Sequence, residues 1–267
     1  MTFAVAGGGR VSASFISRIP LLAQELGPVA ARTYRLASRF VNQIGAGKPV
    51  RTFAELNNSK LILICAPISG VAAIASALEE SVECRGKTIL VCEDGADSSH
   101  LQSLRARGAA VGSIQTIPGF DGLRFVGEGD PDALRKVRAL VRKIGGRLDE
   151  VKSSKMPMYT AALSFGTSLL TPLLEASLQC FVDAGMKKVS AVQVVEALFQ
   201  SSARAYAYCG KRSWAGPLAR ADLAAVQREI DALAASKPAL ADHYRQTIGS
   251  GLRVLESSQG VSSKAHR

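Results

Sequence analysis

Phe3-Ala4-Val5-Ala6-Gly7-Gly8-Gly9-Arg10-Val11-Ser12 decides the fold. Four apolar residues read as a short buried strand. Three glycines make a tight turn, and Arg10 opens a helix that the pattern carries to Leu26, kinked at Pro20. Strand, glycine turn and helix are the context that a Gly-x-Gly-x-x-Gly fingerprint requires. Gly7 permits the turn. Gly9 lets the backbone approach a pyrophosphate resting on the free amides of the helix N-terminus. Gly8, Arg10 and Val11 complete the turn. Ser12 stands where the fingerprint has its third glycine and is small enough for close helix–strand packing. A glycine-rich turn that has lost its ligand has the same pattern, so the flanks must carry the reading.

The flanks agree. Gly27-Pro28 stops the first helix, and residues 33–37 read as a second strand. Residues 60–65 and 88–92 are continuous apolar runs of the kind covered on both faces. Residues 109–114 and 123–126 are two shorter strands. Ser69 is placed to cap a helix reaching Glu80, and Asp130-Pro131 opens another that reaches Ile144. This alternation predicts an α/β Rossmann domain with a mostly parallel sheet and right-handed crossovers. Near Lys152 the pattern changes. Residues 159–184, 190–207, 222–235 and 238–256 are helical, with no convincing strand among them. The expected organisation is a dinucleotide-binding domain over 1–151 and an all-α C-terminal domain over 152–256. The tail, 257–267, rich in Ser, Gly and basic residues, is expected to be disordered.

Composition narrows the partners. The chain has 267 residues, 47% of them hydrophobic, and a formal net charge of +11. That charge suits a nucleotide, a nucleic acid or an acidic metabolite without choosing among them. The basic runs at Arg135-Lys136-Val137-Arg138, Arg142-Lys143 and Lys187-Lys188 read as solvated helix faces. Zinc-finger spacing, ribonucleoprotein aromatic motifs and basic-zipper heptads are missing, so no nucleic-acid partner is expected. The five cysteines are scattered without a Cys-x-x-Cys, which argues against a metal site and a disulfide framework. Residues 161–180 are apolar but interrupted by Ser164, Thr171 and Glu175, and read as a buried helix, not a membrane span. A cytoplasmic protein is expected.

The end of the second strand sets the cofactor. An acid there would bond the ribose 2′-hydroxyl of NAD. The chain has Ser38-Arg39 and no acid nearby, which favours NADP: Arg39 can neutralise a 2′-phosphate and Ser38 can bond it, although Arg39 also fits a plain surface arginine. Ala66-Pro67 follows the strand ending at Cys65, at the sheet edge where a nicotinamide would rest. Pro67 reads equally as a turn residue.

In these stretches the chain resembles the Rossmann-like NAD(P)-dependent oxidoreductases that carry a C-terminal helical domain of unknown function. That family is 6-phosphogluconate dehydrogenase C-terminal-like and related to pyrroline-5-carboxylate reductase and prephenate dehydrogenase. The matching runs are Gly7–Val11, Ser38-Arg39, Ala66-Pro67, Val126-Gly127-Glu128-Gly129-Asp130, Tyr159-Thr160-Ala161-Ala162 and Gly216-Pro217-Leu218-Ala219-Arg220-Ala221-Asp222. The last resembles the family pattern Thr-Gly-Pro-x-x-Arg-Gly-Asp. The resemblance implies hydride transfer to or from a small, anionic substrate in an interdomain cleft, and a homodimer formed through the helical domain. Thr160 stands where the family has histidine after the tyrosine, Gln115-Thr116 where it has His-Pro, and Ser168 where it has asparagine. With both histidines gone, Lys155 is the best remaining proton donor, and Tyr159 the next. Lys155 also fits a solvated linker lysine. Thr160, Ser164 and Ser168 belong to a polar helical stripe that either lines the substrate cleft or bonds helix to helix. The competing reading is a non-catalytic dinucleotide-binding or sensing protein that has lost its acid.

Overall fold

The computed structural model describes residues 2–8, 16, 20–93, 95–117, 119 and 123–257. Gly9, Arg10, Val11, Ser12 and the tail 258–267 lie outside the described residues, and so do the expectations placed on them. Two compact units are present, Met1–Leu163 and Ser164–Arg267. The division falls beyond the change of pattern near Lys152.

The first unit is built on eight strands: β1 (Phe3–Gly7), β2 (Leu26–Ala30), β3 (Lys48–Pro49), β4 (Leu61–Cys65), β5 (Thr88–Val91), β6 (Ala110–Thr116), β7 (Arg124–Gly129) and β8 (Arg147–Glu150). They form one sheet in the order β3-β2-β1-β4-β5-β6-β7-β8. All neighbours are parallel except β6 and β7, which run antiparallel. The helices of this unit are α1 (Pro20–Ala23), α2 (Tyr34–Ile44), α3 (Ile68–Ser81), α4 (Gln102–Ala106) and α5 (Pro131–Lys143). They are followed by α6 (Met156–Gly166), which runs across the division. Side chains alternate across the sheet. Phe3 and Val5 join one core with Leu63, Leu90 and Phe125, while Ala4 and Ala6 join the other with Ile62, Ile64 and Ile89. Each large apolar side chain buried this way stabilises the fold by about 1.5–3 kcal/mol.

The second strand lies earlier than the sequence reading places it. Gly27-Pro28 does not stop a helix; both residues sit inside β2. The register between β1 and β2 shifts there, between the pairs Phe3↔Leu26 and Val5↔Val29. An irregularity of this kind is where a strand tolerates a proline. Thr33 is no strand residue but the N-cap of α2, its hydroxyl accepting from the Leu36 amide at 3.3 Å. Ser69 is likewise not a cap: Pro67 holds that position, and Ser69 is the second residue of α3.

The remaining helices are α7 (Thr171–Asp183), α8 (Lys188–Cys209), α9 (Leu223–Ser236) and α10 (Pro238–Ser257). The single helix expected over 159–184 is two, α6 and α7, with turns between Gly166 and the Thr171-Pro172 start of the next. By length and composition alone the stretch Ser153–Asp183 could cross a membrane, and none of its most apolar window is buried within the chain. The expectation of a buried helix is therefore not met in the single chain. Within the second unit, α7 packs on α8 and α9 on α10. Lys237, between α9 and α10, pairs with Asp183 at the end of α7 at 2.9 Å. Asp222 caps α9, accepting from the Ala225 amide at 3.0 Å.

Candidate functional site

The strand order reverses direction at β1, whose neighbours are β2 on one side and β4 on the other. In such sheets the crevice beyond the carboxyl ends at this point is where ligands bind. Three chain segments meet it: Gly7-Gly8 at the end of β1, Ala31-Arg32-Thr33 after β2, and Ala66-Pro67 after β4. Gly7 has φ 114, and a Cβ there would fall 2.3 Å from the Cys65 carbonyl oxygen. A Cβ on Gly8 would lie 3.4 Å from the Leu36 carbonyl oxygen, at the start of α2. The backbone of β1 therefore enters the turn pressed against β4, where Gly7 has no room for a side chain, while a Cβ on Gly8 would meet α2 at ordinary contact distance.

Ala30 pairs with Ala6, so Ala31 and Arg32 stand level with Gly7 and Gly8. Arg32 and Arg35 are exposed, and neither pairs with a carboxylate among the described residues. Tyr34 is 44% exposed, and the Arg51 guanidinium, just past β3, lies 4.9 Å from its ring centroid. No Asp or Glu occurs between Leu26 and Ala54. Three cations and an exposed aromatic ring thus gather at the carboxyl ends of β2 and β3. This cluster was hidden from sequence reasoning by the misplaced second strand. The correct signal was Val29-Ala30-Ala31-Arg32-Thr33, an apolar run ending in a cation and a capping threonine. The expectation that Ser38 and Arg39 close the strand is not met: both lie in the interior of α2, Arg39 exposed and Ser38 half-buried.

Ala66 is buried and Pro67 exposed at the start of α3, with the Pro67 carbonyl accepting from the Gly70 amide at 2.7 Å. Beside them Cys92 follows β5. Its hydrogen bond with the free thiol of Cys65 and its burial push its own thiol well above the ordinary range, which leaves it a poor nucleophile. Gln115 on β6 is buried, and its amide nitrogen donates to the carbonyls of Glu93 and Ala96 at 3.0 and 2.8 Å. It ties down the loop after β5 where the resembling family has a histidine.

Lys155 is exposed and ends the 3-10 turn Ser153–Lys155 that leads into α6; Tyr159, half-buried, follows one turn later. Both belong to the first unit. The Thr160 hydroxyl donates to the Met156 carbonyl at 2.7 Å, Ser168 to Ser164 at 3.5 Å, and Thr171 to Thr167 at 3.4 Å. The polar stripe is thus satisfied largely within its own helices, a third role beside lining a cleft and joining helices. Among the described residues, no three of His, Cys, Asp and Glu gather as a metal site.

The run Val126–Asp130 is structural. Glu128 is fully buried and accepts from the Ser98 amide at 2.9 Å and from the Ser98 and Ser113 hydroxyls. Asp130 accepts from the Val111 amide at 2.9 Å and pairs with Arg105 at 3.0 Å. Gly129, at φ 135, leaves no room for a Cβ, which would fall 2.4 Å from the Gly112 Cα.

Residues 123–250 match the model of a domain of unknown function, DUF2520. No protein with a curated description matches the chain in sequence. The fold is similar to that of the Thermotoga maritima protein TM1727, with a TM-score of 0.71 at 16% identity over 97% of this chain and 100% of that one. It is also similar to a Streptomyces aurantiacus imine reductase, with a TM-score of 0.63 at 15% identity over 94% and 95% of the two chains. A Plasmodium falciparum pyrroline carboxylate reductase with NADP bound gives a TM-score of 0.61 at 12% identity over 92% and 96%. The chain is a Rossmann-like protein with a C-terminal helical region, it carries the DUF2520 domain, and it shares its fold with pyrroline-5-carboxylate and imine reductases.

Proposed function

We propose that this chain is an NADP-dependent oxidoreductase, acting by hydride transfer on a small anionic metabolite. The observation that carries the reading is the position of Arg32, a cation level with the glycine turn at the end of a strand in a stretch, Leu26 to Ala54, without Asp or Glu. The dinucleotide, when bound, supplies the hydride chemistry. The chain's own residues bind and orient it. Gly7 and Gly8 leave the backbone approachable, Arg32 and Arg35 attract the 2′-phosphate, and Ala66-Pro67 border the nicotinamide end. Ser38 and Arg39, further along α2, are at most outer members of this set. Lys155 is the proposed proton donor and Tyr159 its alternative. Thr160, Ser164 and Ser168 offer hydroxyl oxygens to substrate. The net charge of +11 suits an anionic substrate, and the five free cysteines fit a reducing cytoplasm.

One observation favours a second reading, a dinucleotide-binding or sensing protein without catalysis. Gln115 and Thr160 stand where the resembling family has histidines, and the Gln115 amide nitrogen and the Thr160 hydroxyl each donate to backbone carbonyls. NADPH fluorescence titration followed by turnover on small ketoacids, imines and prephenate-like acids separates the two. Catalysis requires Lys155→Ala to lower turnover by roughly a hundredfold with little change in NADPH affinity. Binding without turnover across the panel favours the sensor, and failure to bind NADPH refutes both.

A homodimer through the helical unit belongs to the same proposal. Phe165, Leu169 and Val189 are 71, 53 and 75% exposed, and so small a unit buries apolar surface poorly alone. Sedimentation as a monomer at micromolar concentration would count against it.

A further inference from the structure

We infer that the loop following α8 forms a binding site for an aromatic carboxylate. From Ala197 to Ala221 the chain contains no Asp or Glu, yet it has Arg204, Lys211, Arg212 and Arg220. The same stretch holds Tyr206, Tyr208 and Trp214, the only tryptophan of the protein. Composition alone leaves these as scattered surface residues. The fold brings three of them, Tyr206, Lys211 and Trp214, together with others around one concavity.

Gly210 ends α8 at φ 56, ψ −141, and the turn Gly210–Ser213 folds the chain back. The Ser213 hydroxyl fixes that turn by donating to the Gly210 carbonyl at 2.8 Å. The result is an open concavity of about 460 Å³ lined by Tyr206 and Trp214. Ala215 and Leu255 add apolar surface, and Ser202 and Ser213 add hydroxyls. Lys211 is the one charged side chain lining it, and no described carboxylate pairs with Lys211. The volume is in the range of small-molecule sites, which are mostly apolar with a few polar groups that orient the ligand.

Those groups specify the ligand. Exposed aromatic side chains, Trp214 at 40% and Tyr206 at 64%, favour a flat ring over a branched aliphatic body. One ammonium without a competing acid favours a single carboxylate on that ring's side chain. A ring without the charge, or a charge without the ring, meets only half of the site.

The sole tryptophan makes the test direct. In the absence of any dinucleotide, so that the outcome is independent of the NADP reading, Trp214 emission is followed during titration with phenylacetate, phenylacetamide and acetate. Phenylacetate should change the emission saturably, and the other two should bind about tenfold more weakly or worse. Lys211→Met, an exposed substitution that leaves the walls intact, should weaken phenylacetate by about tenfold or more and leave phenylacetamide unchanged. Tyr206→Ala should weaken both ring compounds. The proposal is overturned if phenylacetate gives no saturable change at millimolar concentration, if phenylacetamide binds as well, or if Lys211→Met has no effect. A response to a single-stranded oligonucleotide in place of phenylacetate would also overturn it, since exposed aromatics and cations serve stacking on bases too.

Discussion

The position of a Cβ on Gly7 lies 2.3 Å from the carbonyl oxygen of Cys65, so the first glycine of the turn is fixed by the neighbouring strand as well as by any ligand. At φ 114 the backbone is also outside the range of ordinary residues. Gly7→Ala must therefore distort β1 against β4. Strained backbone alone costs about 1–3 kcal/mol, and the overlap adds to it. We expect a loss of at least about 2 kcal/mol in urea unfolding, together with loss of NADPH binding. A variant of unchanged stability would show that the strands can part at this edge.

Arg32 and Arg39 make different predictions for cofactor choice. If Arg32 holds the 2′-phosphate, Arg32→Ala weakens NADPH binding by about ten- to a hundredfold, the worth of one charge-assisted bond. NADH, which lacks the phosphate, should be little affected. Arg39→Ala, a change within α2, should alter neither. Tighter binding of NADH than NADPH by the unaltered protein would reject the NADP assignment and leave the fold untouched.

The same pair shows what was legible in the sequence. β1, β4 and β5 announce themselves as apolar runs, because strands covered on both faces tolerate little else. β2 does not, since Gly27-Pro28 reads as a stop signal and only the register shift against β1 accommodates it. Thr33 and Tyr34, both favoured in strands, lie instead at the start of a helix, where the threonine hydroxyl has an amide to accept from. β3 and β8 are short and polar, Lys48–Pro49 and Arg147–Glu150, and carry no alternation. An error of a few residues in β2 moved the inferred phosphate contact from the sheet edge into α2. The glycine turn, by contrast, is a local signal, and its two described members, Gly7 and Gly8, stand at the strand end as expected. Lys155 and Tyr159 follow the change of pattern near Lys152, but exposure at Lys155 is a tertiary property that no local pattern encodes.

Glu128 should govern the stability of the first unit. Its carboxylate is fully buried and takes three hydrogen bonds from Ser98 and Ser113. Glu128→Ala leaves those donors in a dry interior, at about 1–3 kcal/mol for each one that finds no other acceptor. We expect a loss of roughly 3 kcal/mol or more by urea unfolding, and a smaller loss for Glu128→Gln, which keeps one oxygen. Normal stability in both variants would mean that water replaces the carboxylate.

Alkaline unfolding of the helical unit should report on Tyr244. Its burial, and then its bond to the Glu229 carboxylate, push its hydroxyl up to about 12. An unfolded tyrosine releases its proton near pH 10. The stability linked to this group is therefore present below about pH 10 and is lost as pH rises toward 12. Tyr244→Phe should unfold with a shallower dependence on pH in that window. An identical profile for the two proteins would place the hydroxyl in water.

Ala221 is, among the described residues, the one non-glycine with a positive φ, at φ 56 and ψ 28. It stands between Arg220 and Asp222, in the run where the resembling family has Arg-Gly-Asp. The geometry is imposed from both sides. The Asp222 amide donates to the Pro217 carbonyl at 2.9 Å, and the Asp222 side chain must reach the Ala225 amide to cap α9. The chain can satisfy both only by turning through the left-handed region at Ala221. For a residue with a Cβ that turn costs about 1–2 kcal/mol, against about 0.5–1 kcal/mol of added chain entropy when glycine is used instead. Ala221→Gly should therefore stabilise the helical unit by about 0.5–1 kcal/mol, raising the urea midpoint without changing the slope. Ala221→Val should destabilise it by more, since a β-branched side chain is worse placed still at positive φ. If glycine gives no gain or destabilises, the left-handed turn is not a source of strain, and the departure from the family pattern at this position has another cause.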